Sequence, residues 1–358
     1  MKILISIGTR PELIKLYPLV IELKKYKKIK TITSFTGQHD KLMKKILKDF
    51  KLKPDYQLNC KNDFGNLNIL TSKLYFGLDK ILKKEKPDLV IVQGDTSSAL
   101  VSSVAAFHNK IKIAHVEAGL RSNHLEEPFP EEFNRLVISK IANLNFAPTK
   151  NAVNNLLNEN IDKKTIYLTG NTVFDALNIF KKKKCFKKIK KTFILVTCHR
   201  RENYSYYQNL IKNIKLAASK VKDIQIRILC HPGILNFRNN KKKIQELSKF
   251  SNIKIYQSLT YFEILNLIAN CKFIITDSGG IQEEAPSFKK FVYVIRNYTE
   301  RVEGSKKGIS KLISIKNNQV YREIIKNYKK ESLFDKKKFN PYGNGKAAKF
   351  ISKILKKI

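Results

Sequence analysis

A chain of 358 residues is long for one core and comfortable for two domains. With 42% hydrophobic residues it can fill such cores, yet it holds no uninterrupted apolar window of about 18 residues, which excludes a helical membrane span. The formal charge of +40 is spread as lysines along the chain, without a recognised nucleic-acid module. It reads as a solvated basic surface that steers anions, not as a nucleic-acid interface.

Residues 1–7 are strand-like, and the stretch is too short for a signal peptide. Five scattered cysteines without a Cys-x-x-Cys pair suit a reducing cytoplasm and argue against zinc. Thr9-Arg10-Pro11-Glu12 has the spacing of a capping box, with proline in the first turn. Arg10 and Lys15 therefore sit where a helix leaves the first strand, and two cations there can meet a phosphate. Taken singly, each is an ordinary exposed charge.

Residues 31–36 form a second strand that ends at Gly37-Gln38-His39. Helices follow to about Phe50 and over 67–83. Residues 89–93 are a near-continuous apolar strand of the kind a parallel sheet buries on both faces. It ends in Gly94-Asp95-Thr96. After a helix over 97–107, the strand 113–116 ends in Glu117-Ala118-Gly119. Such alternation predicts a doubly wound α/β domain, whose ligands bind at the carboxyl ends of the strands. Asp95 and Glu117 both fall there. Either one alone serves as well as a cap or loop carboxylate; from two separate strand ends they form a constellation. Residues 129–135 open the next helix and add Glu131 and Arg135.

Residues 144–147, 152–157 and 167–169 complete the first unit. Gly170-Asn171-Thr172 leads into a helix to Phe180, and the lysine-rich stretch 181–191 reads as a linker. The strand 193–197 ends in Cys198-His199-Arg200-Arg201-Glu202, a second candidate anion contact. A satisfied loop histidine is the plainer reading of His199 by itself. Strands over 224–229 (followed by His231) and 253–256, a helix over 261–269 and a strand over 273–276 lead to Asp277-Ser278-Gly279-Gly280-Ile281-Gln282-Glu283-Glu284-Ala285-Pro286. Ser278-Gly279-Gly280 thus lies between a strand and a short helix over 281–288. Free backbone N–H groups and the absent Cβ of glycine let an anion approach there. A carboxylate one turn on, Glu283 or Glu284, suits ribose hydroxyls. The bland alternative is a tight turn. A strand over 291–295 precedes Arg296 and Thr299-Glu300-Arg301, and a turn-rich segment from Asn340 precedes a terminal helix to about Lys356. There is no Gly-x-Gly-x-x-Gly after a strand, no Walker loop and no His-Glu-x-x-His.

Taken in order, Gly8-Thr9-Arg10-Pro11-Glu12, Gln38-His39, Gly94-Asp95-Thr96, His115 to Arg121, Pro130-Glu131-Glu132 with Asn134-Arg135, Gly170-Asn171-Thr172, His199 to Glu202, Asp277 to Pro286, Thr299-Glu300-Arg301 and Asn340 to Gly343 resemble the non-hydrolysing UDP-N-acetylglucosamine 2-epimerases. The match runs over nearly the whole chain. It implies two Rossmann-like, doubly wound parallel-sheet domains facing a cleft, as in GT-B glycosyltransferases. Residues 1–168 would form the first domain and 169–340 the second, with 341–358 packing back on the first. It implies that UDP-GlcNAc and UDP-ManNAc interconvert, without a cofactor or metal, by elimination and re-addition of UDP. Such an enzyme is expected as a cytoplasmic homodimer supplying surface polysaccharide synthesis. Its partner is a UDP-sugar, with no nucleic acid and no membrane insertion. Ser278, Gly279 and Gly280 would bind the diphosphate, with Arg10, His199 and Arg301 around it and Glu284 on the ribose. Asp95, Glu117 and Glu131 would face the sugar as the catalytic carboxylates, with His199 counted among the catalytic groups. Lys15 and Arg135 would complete the substrate contacts. A hydrolysing relative that releases ManNAc, or an epimerase of a modified UDP-HexNAc, is the alternative.

The chain also departs from that family. Thr299-Glu300-Arg301 continues into Val302-Glu303 where many members have Pro-Glu, and Cys198 stands where a glycine often precedes the His-Arg-Arg cluster. Many bacterial members hold an activating UDP-GlcNAc with a Gln-His-x-Gln pattern and an Arg-Gln pair. The corresponding residues here are Gln38-His39-Asp40-Lys41 and Asp63-Phe64-Gly65-Asn66, so activation by UDP-GlcNAc is not expected to be required.

Overall fold

The computed structural model describes residues 1–37, 47, 50–58, 60, 66–182, 186–230, 240–257, 259–335 and 340–358. The readings placed on residues 38–41 and 63–65, on His231 and on the lysine runs 183–184 and 336–338 lie outside them. The chain divides into two compact units, Met1–Phe180 with Tyr342–Ile358, and Lys181–Pro341.

The first unit runs β1 (Lys2–Ile7), α1 (Arg10–Leu23), β2 (Lys30–Phe35), β3 (Tyr56–Gln57), α2 (Leu67–Glu85), β4 (Leu89–Gln93), α3 (Ser97–His108), β5 (Lys112–Val116), α4 (Glu131–Ile141), β6 (Leu144–Ala147), α5 (Lys150–Asn158), β7 (Ile166–Leu168) and α6 (Val173–Lys182). Among the described residues its sheet has seven parallel strands in the order β3-β2-β1-β4-β5-β6-β7. Every residue of β4 is buried, because helices cover both faces of the sheet. Helix α2 shows how a local pattern becomes an element. Asn66 caps it by accepting from Asn68 N (3.0 Å) and Ile69 N (3.2 Å). Leu70, Leu74, Leu78, Ile81 and Leu82 form its buried stripe, and left-handed Lys86 ends it.

The second unit repeats the plan with β8 (Phe193–Cys198), α7 (Tyr207–Lys220), β9 (Gln225–Cys230), α8 (Asn240–Leu247), β10 (Ile253–Tyr256), α9 (Tyr261–Asn270), β11 (Ile274–Thr276), α10 (Gly279–Glu284), β12 (Val292–Val294), α11 (Val302–Lys306), β13 (Ser310–Leu312) and α12 (Gln319–Asn327). Among the described residues its sheet has six parallel strands in the order β10-β9-β8-β11-β12-β13. In each sheet the strand order reverses once, between β1 and β4 and between β8 and β11. A doubly wound sheet binds its ligand at that switch point, on the carboxyl edge.

The terminal helix α13 (Ala347–Leu355) belongs to the first unit. It packs on α1, and Asp175 of α6 accepts from Ala347 N (3.1 Å) and Ala348 N (3.2 Å) in place of a side-chain cap of its own. The division falls after Phe180, not at the expected 168, because α6 is built into the first core. Phe180 is buried with its ring 5.1 Å from that of Phe50. Strand β13 and helix α12 were not legible in the sequence. In β13 only Ser310 is buried, so this edge strand carries no apolar run.

Candidate active site

Each unit collects polar side chains at the carboxyl edge of its own sheet. In the first, β4 ends at Gln93 and the turn Gly94-Asp95-Thr96 starts α3, whose cap is Thr96 accepting from Ala99 N (3.1 Å). The neighbouring strand β5 ends directly before Glu117, which takes a left-handed backbone (φ 67°). That conformation is costly for a residue with a side chain and persists where surrounding bonds fix it. They do so here. Lys15 Nζ donates to both carboxylate oxygens (2.8 and 2.6 Å), and Gln93 Nε2 donates to one of them (2.7 Å). Lys15 and Glu117 are both buried, so the ammonium balances a charge that water does not reach.

Asp95 is partly exposed, and Arg135 Nη2 of α4 donates to it. Arg135 also holds Glu132 (3.1 Å), whose carboxylate accepts from Ser122 N and Asn123 N. Asn134 Nδ2 donates to the Asp95 carbonyl (2.8 Å). The turn is steadied from below by His115. This side chain is buried, and burial pushes its pKa down to about 4, so its ring is neutral near pH 7 and Nε2–H donates to Gly94 O (2.7 Å). Glu131 is half-buried at the first position of α4, and Arg10 occupies the first position of α1.

In the second unit, Asp277 follows β11 and is completely buried. It accepts from His199 N (3.1 and 3.0 Å), Arg200 N (2.9 Å), Asn203 Nδ2 (3.0 Å) and Cys198 Sγ (3.3 Å), and it pairs with His199 Nδ1 (3.0 Å). Burial works against its charge, but His199, Asn203 and the Arg200 amide outweigh burial and hold the carboxyl far below the usual range. The two strand-end loops flanking the switch point are thereby fastened together. Ser278 caps α10 through Oγ, which accepts from Ile281 N (3.4 Å), so the helix starts at Gly279 and not at the expected Ile281. A Cβ on Gly279 would stand 2.7 Å from Arg301 Cζ, so the guanidinium packs on the bare glycine backbone. At Gly280 the nearest atom to such a Cβ is Ser278 Oγ at 3.9 Å, which leaves that position open.

Arg301 is buried between two acids. Nε donates to Glu283 (2.9 Å), and Nη1 donates to Glu300. Glu300 is shared with Arg296 (2.7 Å), which also reaches Glu202 (3.0 Å). Glu284 accepts from the Tyr261 hydroxyl (2.7 Å). The choice left open between Glu283 and Glu284 thus acquires a structural difference: Glu283 serves Arg301, and Glu284 accepts from Tyr261.

The structure therefore gathers Lys15, Asp95, Glu117 and Arg135 on one sheet edge as two ion pairs, and His199, Ser278, Gly279, Gly280, Glu284 and Arg301 on the other. Lys15 and Arg135, expected as substrate contacts, hold the two strand-end carboxylates. Sequence reasoning passed over Gln93, Glu12 and Asp277 as site residues. For Asp277 and Gln93 a signal existed, since each stands at a strand end on a switch-point edge. Among the described residues no group of three or more His, Cys, Asp or Glu side chains could hold a metal ion, and no helix is long and apolar enough to cross a membrane.

Two doubly wound parallel sheets, each with charged and glycine-bearing turns at its switch point, define an α/β enzyme of the nucleotide-binding kind. The profile described as UDP-N-acetylglucosamine 2-epimerase matches residues 21–356. The chain is 41% identical to the UDP-N-acetylglucosamine 2-epimerase of Campylobacter jejuni, over 99% of this chain and 97% of that one. Its structure is similar to that of the Neisseria meningitidis UDP-GlcNAc 2-epimerase bound to UDP-GlcNAc (TM-score 0.92, 36% identity, all of both chains). It is also similar to the Methanocaldococcus jannaschii enzyme in complex with UDP-GlcNAc and UDP (TM-score 0.88, 34% identity, all of both chains). The chain belongs to the UDP-N-acetylglucosamine 2-epimerase family.

Proposed function

We propose that this protein interconverts UDP-GlcNAc and UDP-ManNAc without releasing free sugar. The observation that carries the proposal is full-length similarity to a relative bound to UDP-GlcNAc, in a chain whose first sheet holds Asp95 and Glu117 at adjacent strand ends. The C2 proton of the sugar is weakly acidic, so direct inversion is difficult. In the proposed route a carboxylate takes that proton and the C1–O bond to UDP breaks. The electron pair leaves on the diphosphate oxygen, and C1=C2 forms in a 2-acetamidoglucal. Return of a proton to the opposite face of C2, with attack of the diphosphate oxygen on C1, gives the epimer. The first step needs a base and the second an acid. Asp95, Glu117 and Glu131 supply carboxyl groups for these roles, and Lys15 and Gln93 keep Glu117 in place.

Cations and backbone N–H groups stabilise the departing diphosphate. Ser278, Gly279 and Gly280 would receive it, with His199 and Arg301 as positive groups of the same unit and Arg10 as a further cation. Asp277 supports this arrangement by fixing His199 and the Arg200 amide. Glu284 would take the ribose hydroxyls. We place the enzyme in the cytoplasm as a homodimer whose product feeds surface polysaccharide synthesis.

The test is incubation with UDP-GlcNAc in deuterated water, followed by NMR of the sugar. Deuterium at C2 of both UDP-GlcNAc and UDP-ManNAc is expected. Retention of the C2 proton overturns the elimination route, and free N-acetylmannosamine as the product overturns the non-hydrolysing reading.

A further inference from the structure

We infer that Glu12 is a positioning residue for the reaction proposed above, a clamp that ties the β1–α1 turn to the β4–α3 turn and so sets where Asp95 stands. The inference rests on that functional reading. Glu12 lies in the first turn of α1 and is 2% exposed. One carboxylate oxygen accepts from Gly8 N and from Thr9 N (3.2 Å), the groups that end β1 and begin α1. The other accepts from the Thr96 hydroxyl, across the switch point. Thr96 Oγ1 itself accepts from Ala99 N (3.1 Å), so its single hydrogen is directed to Glu12.

Thr96 directly follows Asp95, and Asn134 fixes the carbonyl between them (2.8 Å). Asp95 is thus bounded by two restraints, one of which ends on Glu12. The two turns are also in direct contact. A Cβ on Gly8 would stand 2.3 Å from Ser98 Cβ and 3.1 Å from the Glu12 carboxylate, so only glycine lets them close. Helix α1 carries Arg10 and Lys15 as well, and the same clamp fixes the register of those cations against Asp95.

No Lys or Arg pairs with Glu12 among the described residues. The charged groups around it are already committed: Asp95 on the β4–α3 turn to Arg135 of α4, and Lys15 on α1 to Glu117 after β5. Burial, with a further push from Asp95, raises the Glu12 pKa to about 7 against the pull of its three donors. Only the carboxylate accepts all three bonds; protonation turns one oxygen into a donor. The sign is therefore defined. The folded pKa lies above the ordinary one, so the fold is more stable with Glu12 protonated, and that margin is lost as pH rises through about 7. The ordered site forms in the same direction, so turnover should rise with pH while stability falls slightly.

The experiment uses Glu12→Gln and Thr96→Val, with Thr96→Ser as the conservative control. Turnover of UDP-GlcNAc and thermal unfolding are measured from about pH 5.5 to 9. Glu12→Gln is expected to fold, to lose about tenfold or more in kcat with KM changed less than about twofold, and to lose the rise of kcat with an apparent pKa near 7. Thr96→Val should reproduce the kcat loss, Thr96→Ser should restore activity, and the double variant should fall no lower than the worse single one. A Glu12→Gln enzyme with wild-type kcat and an unchanged acid limb overturns the inference, as do additive losses in the double variant. A wild-type protein without turnover overturns the functional reading and the inference with it. Active wild type beside an indifferent Glu12→Gln overturns the clamp alone.

Discussion

Replacing Asp277 by asparagine removes one charge and almost no volume from the second unit. In the wild type one carboxylate oxygen takes His199 N, Arg200 N and Asn203 Nδ2 at 2.9 to 3.0 Å, while the other faces the His199 ring. In the least harmful orientation the new amide oxygen keeps the three N–H donors and the NH2 group meets the imidazole. Each of the three bonds then falls from charge-assisted to neutral, a loss of about 1 kcal/mol apiece, or about 3 kcal/mol together. For a unit of roughly 160 residues this corresponds to about 6 to 12 °C in Tm. The pH dependence has a fixed sign. Asp277 is held below its unfolded pKa, so its contribution is present above about pH 4 and is lost as pH falls further. The gap between wild type and Asp277→Asn should be present at neutral pH and should shrink below about pH 4. Scanning calorimetry of the intact chain, with and without UDP, reads both effects; the variant should also show a smaller UDP-induced shift, because His199 loses its anchor. A Tm within about 2 °C of wild type at pH 7 would mean that the five donors around Asp277 do not depend on its charge.

Lys15→Met and Glu117→Gln should each lower turnover about a hundredfold, and the double variant should lose no more, since the pair acts as one group; full activity in Lys15→Met would detach it from the chemistry. In the first unit, burial raises the Asp175 pKa to about 6, so the carboxylate that caps α13 is held against its preference near neutral pH. The protection of the α13 amides, that is, their exchange corrected for the intrinsic base-catalysed rate, should therefore be greater at pH 5 than at pH 8 in wild type, by on the order of 1 to 2 kcal/mol, and independent of pH in Asp175→Asn. Equal pH dependence in both proteins would show that Asp175 is not the group responsible. Conversion of UDP-ManNAc alone should start without a lag, because Lys41, Phe64 and Gly65 cannot grip a second diphosphate as an arginine does. A strict requirement for added UDP-GlcNAc would refute this expectation.

The sequence alone determined the order and type of most elements. Buried parallel strands such as β4 and β6 are short, mostly apolar runs whose bounds, 89–93 and 144–147, coincide with the reading. That pattern is local: a strand covered on both faces is apolar along most of its length, and the buried Gln93 and Asn145 are its polar exceptions. It also determined which residues stand at strand ends, and hence Asp95, Glu117, His199 and Ser278 as candidates. Edge elements such as β13 escaped, because a half-exposed strand need not be apolar.

What the tertiary structure decided is pairing. Lys15 and Glu117 are 102 residues apart in the chain, Thr96 and Glu12 are 84 apart, and His199 and Asp277 are 78 apart. Sequence assigned Lys15 and Arg135 to a substrate because a cation near a strand end is favourable for any anion. Which anion it meets depends on strand order and register. In a doubly wound sheet the reversal sets β1 beside β4 and β8 beside β11, so loops far apart in sequence share one edge. Charge and hydrogen-bond partners act over a few ångströms, and only the completed sheet brings Thr96 to Glu12, and His199, Arg200 and Asn203 to Asp277, within that range.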